Sequence, residues 1–395
     1  MKQQQLRNQE KLWNAGFIII TIGYFLCSTA QYMTNSTFSL YVNFLGGTAS
    51  FSGISTALFA IANVIARLVS GRMADSVGRK PVLIMGGVCF LIPAIVFAVS
   101  GNFALLLVMR FLQGFGYAAM NTAQNTVAAD TIPEGRLSEG MGYFSSMLAV
   151  SAAIGPQISL MILGDNRFSM VYTVMAAVVF LSLAMGLCSK ERTAAVKEIK
   201  TQTERKGLVE FIKNTIEPKA IPAGIVVFVA YMGISAILVF TTLYATKRGF
   251  SNPGFFFTIA AVVMFTVKLL SGSLNEKFGT AATIGSSLVL GAVTFVILAF
   301  IHNQTLFFAC AVLYGAFQAS LLPVLTAAAV RCAPAERRGA AISTFYMFVD
   351  VGVGAGSALW GAMIDLWDFD VMFCAAAVLL LVGAVMSILF FRNKK

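Results

Sequence analysis

Residues 67–75 read Arg-Leu-Val-Ser-Gly-Arg-Met-Ala-Asp, and residues 268–276 read Lys-Leu-Leu-Ser-Gly-Ser-Leu-Asn-Glu. The two stretches align at an offset of 201 residues, and the same offset holds without a gap for about ninety residues. A single offset over that length indicates two related halves. It also aligns these pairs: Gly78 with Gly279, Leu112 with Leu313, Gly114 with Gly315, Pro133 with Pro334, Arg136 with Arg337, Phe144 with Phe345, and Gly155 with Gly356.

The composition predicts a membrane protein. Of 395 residues, 58% are hydrophobic and 11% are charged, whereas about 25% are charged in an ordinary soluble domain. Apolar stretches of about twenty residues recur along the chain, and each can cross a ~30 Å hydrocarbon core as a helix. The predicted spans are 14–42, 50–73, 81–100, 103–128, 140–163, 169–189, 220–245, 253–272, 280–301, 305–330, 339–364 and 370–391.

The formal charge of +11 is a signal of topology. Most Lys and Arg residues fall in the segments that are cytoplasmic if the N-terminus is inside, as the positive-inside rule requires. The distribution predicts a multi-pass protein of the cell membrane, of the bacterial plasma-membrane type, with both termini in the cytoplasm. It argues against nucleic-acid binding. The first apolar segment is too long for a signal-peptide core, so it should remain as the first helix.

The predicted fold class is all-α integral membrane, with twelve transmembrane helices in two pseudo-symmetric six-helix bundles. Halves repeated in the same orientation are a plan found in many transporters, with a substrate site near the midplane between them. The predicted domains are an N-terminal cytoplasmic tail (1–13), a first bundle (14–189), a cytoplasmic linker (190–219), a second bundle (220–391) and a C-terminal tail (392–395). The scattered cysteines and the single histidine predict no disulfide and no metal site.

Three motifs resemble those of the major facilitator superfamily, in particular its twelve-helix drug:proton antiporters. Residues 71–80, Gly-Arg-Met-Ala-Asp-Ser-Val-Gly-Arg-Lys, resemble the family's motif A in the loop between helices two and three. Residues 110–116, Arg-Phe-Leu-Gln-Gly-Phe-Gly, resemble motif B of helix four. The stretch 344–354 resembles helix eleven of some drug:proton antiporters. The resemblance covers essentially the whole chain and implies the twelve-helix fold.

A partial match in the fifth span favours export. Gly142, Gly155 and Pro156 resemble part of the family's antiporter motif, which is associated with efflux. Ser151 replaces one glycine of that motif, and Ser159 and the leucine after it stand where a pair of glycines is usual. The resemblance therefore implies export more than import.

Motif A predicts a conformational latch at the cytoplasmic side. Gly71 would allow a close approach of helices, and the Asp75 carboxylate could accept hydrogen bonds from a helix N-terminus and pair with Arg72 or Arg79. The family resemblance implies that such a latch stabilises one state of the transport cycle. The alternative is a solvated turn that only sets topology. The predicted latch residues are Gly71, Arg72, Asp75, Gly78, Arg79 and Lys80.

Two charged residues, Asp350 and Arg110, lie well inside the predicted spans, where an ionised side chain costs on the order of 3 kcal/mol. Their repeat partners are Ala149 and Ala311, so the repeated fold itself requires neither charge. A carboxyl at mid-depth can load and release a proton, so Asp350 is predicted to couple protons to transport. The alternative is a structural hydrogen bond between helices. Arg110 keeps its proton, but it could favour deprotonation of a nearby carboxyl or bind an anionic substrate. The family resemblance implies that Arg110 takes part in proton coupling together with Asp350; the alternative is a structural role in which it holds helix carbonyls.

Polar side chains at helical spacing predict the substrate cavity. They recur every three or four residues along the fourth span, and similar stripes mark the first and tenth spans. The family resemblance implies that these helices line a central cavity, although hydrogen bonding between helices is equally compatible with each residue. The predicted cavity residues are Tyr24, Gln31, Asn35, Gln113, Tyr117, Asn121, Gln124, Tyr314 and Gln318.

The sequence thus predicts a proton-coupled exporter of small amphipathic drugs or metabolites that works by alternating access. No nucleotide-binding GxxxxGK motif occurs, so a proton gradient is the expected energy source and no cofactor is expected. The predicted partners are a small-molecule substrate, protons and the lipid bilayer, with the chain as a monomer. The alternatives are a proton-coupled importer of nutrients or organic solutes, and a non-transporting membrane sensor. An enzyme is not predicted, because no cluster of catalytic side chains lies in the spans.

Overall fold

The computed structural model describes residues 12–133, 136–189, 216–334 and 337–391. Long α-helices account for nearly all of these residues, and the 3-10 turn Pro218–Ala220 leads into the seventh helix. The long helices are α1 Ala15–Phe44, α2 Ala49–Ser76, α3 Arg79–Val99, α4 Phe103–Thr131, α5 Leu137–Leu163, α6 Phe168–Cys188, α7 Ile221–Lys247, α8 Gly254–Phe278, α9 Thr280–Phe300, α10 Gln304–Cys332, α11 Arg338–Trp367 and α12 Phe369–Phe391.

Each long helix overlaps one predicted span, so the all-α membrane fold is confirmed. Within the described ranges, 11 helices are long and apolar enough to cross a membrane, and the apolar part of α8, Gly254–Lys268, is shorter. The predicted tails and most of the predicted linker, at 1–11, 190–215 and 392–395, lie outside the described residues.

The offset found in the sequence reappears in the helix boundaries. Helices α3 and α9, α4 and α10, and α5 and α11 begin at positions that differ by that same offset. Gly78 before α3 has φ 110°, and Gly279 before α9 has φ 79°. Side chains with a Cβ disfavour this left-handed region, and glycine does not. The two halves therefore use one backbone turn at matching positions.

Two further local structures repeat at the same offset. Asn102 accepts a hydrogen bond from the Leu105 N–H at the start of α4, and Asn303 accepts one from the Thr305 N–H at the start of α10. Asparagine is a preferred cap because its side-chain oxygen satisfies an N–H group that has no partner inside the helix. The turns before α5 and α11 also match: the N–H of Arg136 donates to the carbonyl of Pro133 at 2.9 Å, and that of Arg337 donates to Pro334 at 2.9 Å.

The described residues group into two compact units. One contains the residues before Asn35 and those from Ala62 to the end of α6, and the other contains 35–61 and the second six helices. Residues 35–61, which the sequence assigns to the first bundle, thus group with α7–α12. The Ser39 hydroxyl of α1, for example, donates to the Val239 carbonyl of α7 at 2.7 Å.

In the first unit, α3 packs closely against α4 and α6. A Cβ on Gly86 of α3 would lie 2.5 Å from the Met120 nitrogen of α4, and one on Gly186 of α6 would lie 2.7 Å from the Leu83 side chain. Without a hydrophobic drive between helices in lipid, such backbone contact supplies the packing energy. This contact holds α4 against α3, and α3 against α6.

In the second unit, aromatic residues and hydrogen bonds join α7 to its neighbours. The buried Trp360 of α11 donates its indole N–H to the Met232 carbonyl of α7 at 2.6 Å. The Tyr244 hydroxyl of α7 donates to the Leu298 carbonyl of α9 at 2.7 Å. Each aromatic residue therefore buries its ring while its polar group keeps a partner.

Candidate functional site

Arg110 lies inside the first unit, where α4 meets α1. Its residue is 1% exposed. Its Nη1 donates to Gln113 Oε1 at 2.8 Å, and Gln113 Nε2 donates to Thr34 Oγ1 of α1 at 3.0 Å. Because Gln113 is three residues after Arg110, one face of α4 carries both groups. The sequence predicted that Arg110 lies within a membrane span; the structure adds that it is buried and that a chain of hydrogen bonds orients its guanidinium group.

The predicted cavity residues of α4 divide into two groups. Gln124 is fully buried, like Gln113, and its Nε2 donates to the Ser182 hydroxyl of α6 at 3.2 Å. That hydroxyl donates in turn to the Gly23 carbonyl of α1 at 2.6 Å. Tyr117 and Asn121 are half-buried. Two of the predicted cavity residues on α4 thus bond to other helices, and two are partly accessible.

The predicted cavity residues of α1 and α10 differ in burial and in contacts. The ring of Tyr24 stacks on Phe144 of α5, with centroids 4.2 Å apart and planes at 26°. Gln31 is 4% exposed, whereas Asn35 is half-buried and groups with the second unit. On α10, Tyr314 is buried with its ring 5.8 Å from that of Phe256.

Asp350 lies midway along α11, in the second unit, and is half-buried. The helix around it packs closely: a Cβ on Gly352 would lie 2.7 Å from the Phe228 carbonyl oxygen of α7, and one on Gly354 would lie 2.8 Å from the Ala60 Cβ of α2. Gln318 of α10, also half-buried, belongs to the same unit.

The described part of motif A forms an ion pair with α4. Arg79, 6% exposed, places its Nε 3.1 Å from Asp130 Oδ2 near the end of α4. The sequence predicted that Asp75 pairs with Arg72 or Arg79. The side chains of Asp75 and Arg72 lie outside the described residues, so that contact stays a prediction. A Cβ on Gly71 would meet no described atom within 4 Å, so the expected close helix approach is not seen there. Lys80 follows Arg79 and is half-buried.

The residues that resemble the antiporter motif lie on α5. A Cβ on Gly155 would lie 2.8 Å from the Tyr32 Cβ and 3.0 Å from the Thr29 carbonyl oxygen, both on α1, whereas one on Gly142 would meet no described atom within 4 Å. Pro156 follows Gly155 inside the helix. Ser151, which replaces a glycine of the motif, is fully buried and donates to the Phe25 carbonyl at 3.0 Å. One of the two motif glycines therefore provides the close contact of α5 with α1.

Sequence reasoning missed Thr34, Asp130 and Asp365. Thr34 lies in a run of small polar residues on α1, so its sequence did not distinguish it. Asp130 fell just beyond the predicted end of the fourth span. Asp365 fell just beyond the predicted end of the eleventh span. Asp130 and Asp365 nevertheless both lie within observed helices. Acidic residues near helix ends were a usable signal, because the whole chain has only 17 Asp and Glu.

Comparisons with known proteins find one matching family and several full-length relatives. The family model described as Major Facilitator Superfamily matches residues 20–267 and 225–395. The chain is 26% identical to a staphylopine export protein of Staphylococcus aureus, over 94% of each chain. It is 26% identical to multidrug resistance protein 2 of Bacillus subtilis, over 87% of each. It is also 24% identical to multidrug resistance protein MdtG of Escherichia coli, over 95% of this chain and 94% of that one.

Solved structures with the same fold share little sequence with the chain. The nucleoside transporter NupG superimposes with a TM-score of 0.76 at 14% identity, covering 97% of this chain and 100% of that one. A peptide-transporter-type (POT family) protein gives a TM-score of 0.78 at 13% identity, over 95% and 96% of the two chains. At such low identity these likenesses establish the fold alone.

Proposed function

Since the chain belongs to the major facilitator superfamily, we propose that it exports small amphipathic drugs or metabolites in exchange for protons. The observation that carries the proposal is the end-to-end match with relatives that are named for export or multidrug resistance. Those relatives cover the whole transport unit and not one domain of it. Export is therefore supported by the full length of the chain.

Proton coupling is supported by the two charges within the helices. Arg110 is fixed by Gln113 and Thr34, and an arginine so held supplies a constant positive potential. Asp350 is half-buried in the middle of α11, and ionisable residues in such places mark proton pathways in transporters. In this proposal Asp350 carries the proton. Arg110 does not titrate and sets the electrostatic environment of its own unit.

The remaining functional assignments follow from the transporter role. We place the chain in the cell membrane with both termini in the cytoplasm, because its basic residues concentrate in loops on one side. We propose that it works as a monomer. It acts on its substrate by moving it and catalyses no covalent change. The half-buried polar residues Tyr117, Asn121, Asn35 and Gln318 are its proposed substrate contacts, since they combine polarity with partial access.

The test is transport by purified protein in proteoliposomes with an imposed pH gradient, using ethidium as the transported probe. Wild type should move ethidium against its gradient when the pH gradient is present. Asp350→Asn should lose this uphill movement and keep downhill exchange, because the amide cannot carry a proton. The matched control is Asp165→Asn, which makes the same change in the exposed turn after α5 and should behave as wild type.

Two results would contradict the proposal. Uphill transport by Asp350→Asn at the wild-type rate would remove Asp350 from coupling. Movement of ethidium in the same direction as the protons would replace export by import on the same scaffold. A panel of metabolites and drugs tested in the same vesicles would identify the substrate class.

A further inference from the structure

Helix α2 begins with a contact that the transport motifs do not include. The first four N–H groups of a helix have no partners inside it. In α2 the third is satisfied by its own cap, because the Phe51 N–H donates to the Thr48 hydroxyl at 3.2 Å, and the fourth, from Ser52, donates to the Thr48 carbonyl at 3.4 Å. The first two N–H groups, those of Ala49 and Ser50, remain, and both donate to a residue of another helix.

Asp365 of α11 accepts both of them. The Ala49 N–H donates to Asp365 Oδ1 at 2.9 Å, and the Ser50 N–H donates to Asp365 Oδ2 at 2.7 Å. Each carboxylate oxygen thus has its own donor, and the negative charge lies at the positive end of the α2 dipole. Asp365 is exposed, so water can take its place when the two helices separate. We call this contact the Asp365 cap.

Beneath the Asp365 cap, α2 and α11 are joined by small residues. A Cβ on Gly361 would lie 2.5 Å from the Ala49 carbonyl oxygen. The fully buried Ser357 donates to the Gly53 carbonyl at 3.2 Å. Such a surface loses little side-chain entropy on closing and leaves no large side chain exposed on opening. It suits a contact that forms and breaks repeatedly.

The division of α2 between the two compact units suggests a role for this contact. The start of α2, up to Ile61, belongs to the compact unit that contains α11, while α2 from Ala62 onward belongs to the other unit. One continuous helix therefore has its two ends in different units. If the two units change their arrangement during transport and α2 stays straight, moving with its longer part from Ala62 onward, then its start must move away from α11 and the contact breaks.

We infer that Asp365 is a reversible latch, which fastens the start of α2 to α11 in one state of the transport cycle and releases it in the other. The positive-inside prediction places this end of both helices outside the cell, opposite motif A. The inference rests on alternating access and does not depend on the substrate or on proton coupling. Removing the cap should therefore shift the balance of states toward the one in which α2 and α11 are apart.

The test measures the distance between the two helices in the full-length protein. Spin labels replace the exposed residues Ile54 of α2 and Leu366 of α11 in a variant whose six cysteines are substituted. The protein is held in lipid nanodiscs, and the populations of short and long distances are read by double electron–electron resonance. Asp365→Asn should lower the ratio of short to long distances by about fivefold, the usual effect of losing a helix cap.

Two further variants make the result specific. Asp165→Asn removes a carboxylate from another turn on the predicted outer side and should leave the ratio unchanged. Ala49→Pro removes one of the two donors, and proline is tolerated at the first helical position. It should shift the ratio in the same direction as Asp365→Asn. Added to Asp365→Asn, it should shift the ratio less than it does alone.

The inference is overturned if Asp365→Asn leaves the ratio unchanged, or if Asp165→Asn shifts it equally. The distances are read without substrate and without a gradient, so failure of the latch is distinguishable from failure of proton-driven export. A protein that exports ethidium normally but shows no shift would lose the latch and keep the proposed function. The opposite pattern would keep the latch and remove the proposed function.

Discussion

Helices α4 and α10 have one backbone plan and different chemistry. Both begin after a capping asparagine, Asn102 in one and Asn303 in the other, and their boundaries differ by the single repeat offset. Yet α4 carries the buried Arg110 at the position where α10 has Ala311. The repeat thus conserves turns, caps and close contacts, while each half acquires its own polar groups. Function is added to a symmetric scaffold at positions that the scaffold leaves free.

The largest expected effect comes from removing the charge that distinguishes α4. Arg110→Ala should reduce proton-driven transport by about tenfold or more, because loss of a buried partner costs about 1–3 kcal/mol and 1.4 kcal/mol is a factor of ten. The control is Ala311→Ser, at the equivalent position of α10, which should transport normally. Initial rates in proteoliposomes measure both. Equal losses in the two variants would mean that packing, and not the arginine, matters there.

An intermediate effect is expected at the close helix contacts that both halves share. Gly155→Ala and Gly356→Ala should each lower the free energy of unfolding by about 1–3 kcal/mol, because the added Cβ meets backbone or Cβ atoms of the neighbouring helix. Gly142→Ala, where no described atom lies within 4 Å, should be neutral or stabilising by up to about 1 kcal/mol. Thermal unfolding in detergent gives the comparison. A destabilised Gly142→Ala would contradict this explanation.

The smallest expected effect tests the symmetry itself. Asn102→Ala and Asn303→Ala should each lower stability by about 1 kcal/mol, and by similar amounts, because each removes one cap hydrogen bond at matching positions. Denaturation of each single variant measures this. A clear difference between the two would show that the halves are not energetically equivalent, despite their common backbone.

The sequence predicted the positions of the helices well because lipid leaves few choices. A run of about twenty apolar residues must form a helix in a bilayer. Turns such as those at Gly78 and Gly279 are marked by residues whose backbone preference is local. The 201-residue offset, read from the sequence, matches the starts of three pairs of helices. The position of Arg110 within a span also followed from the sequence, because the apolar residues on both sides of it define that span.

Side-chain partners could not be predicted in the same way. The stripe on α4 was correct as a periodic pattern, but periodicity cannot tell that Gln113 bonds to Thr34 and Gln124 to Ser182 while Tyr117 stays partly accessible. Those bonds join residues distant in the chain, and their geometry depends on how the helices cross. The expected close approach at Gly71 likewise depends on which helix packs against it, and the sequence does not specify that helix.

The membrane class, the helices, the repeat and the family could all be predicted from the amino-acid sequence, because these depend on local hydrophobicity, local turns and motifs contiguous in the chain. The pairing of polar groups, in contrast, depends on how the helices pack in three dimensions. That packing brought Arg79 to Asp130 and Asp365 to the first N–H groups of α2. The physical reason is that a hydrogen bond or ion pair requires atoms within a few ångströms, and residues hundreds of positions apart acquire that distance only when the helices pack.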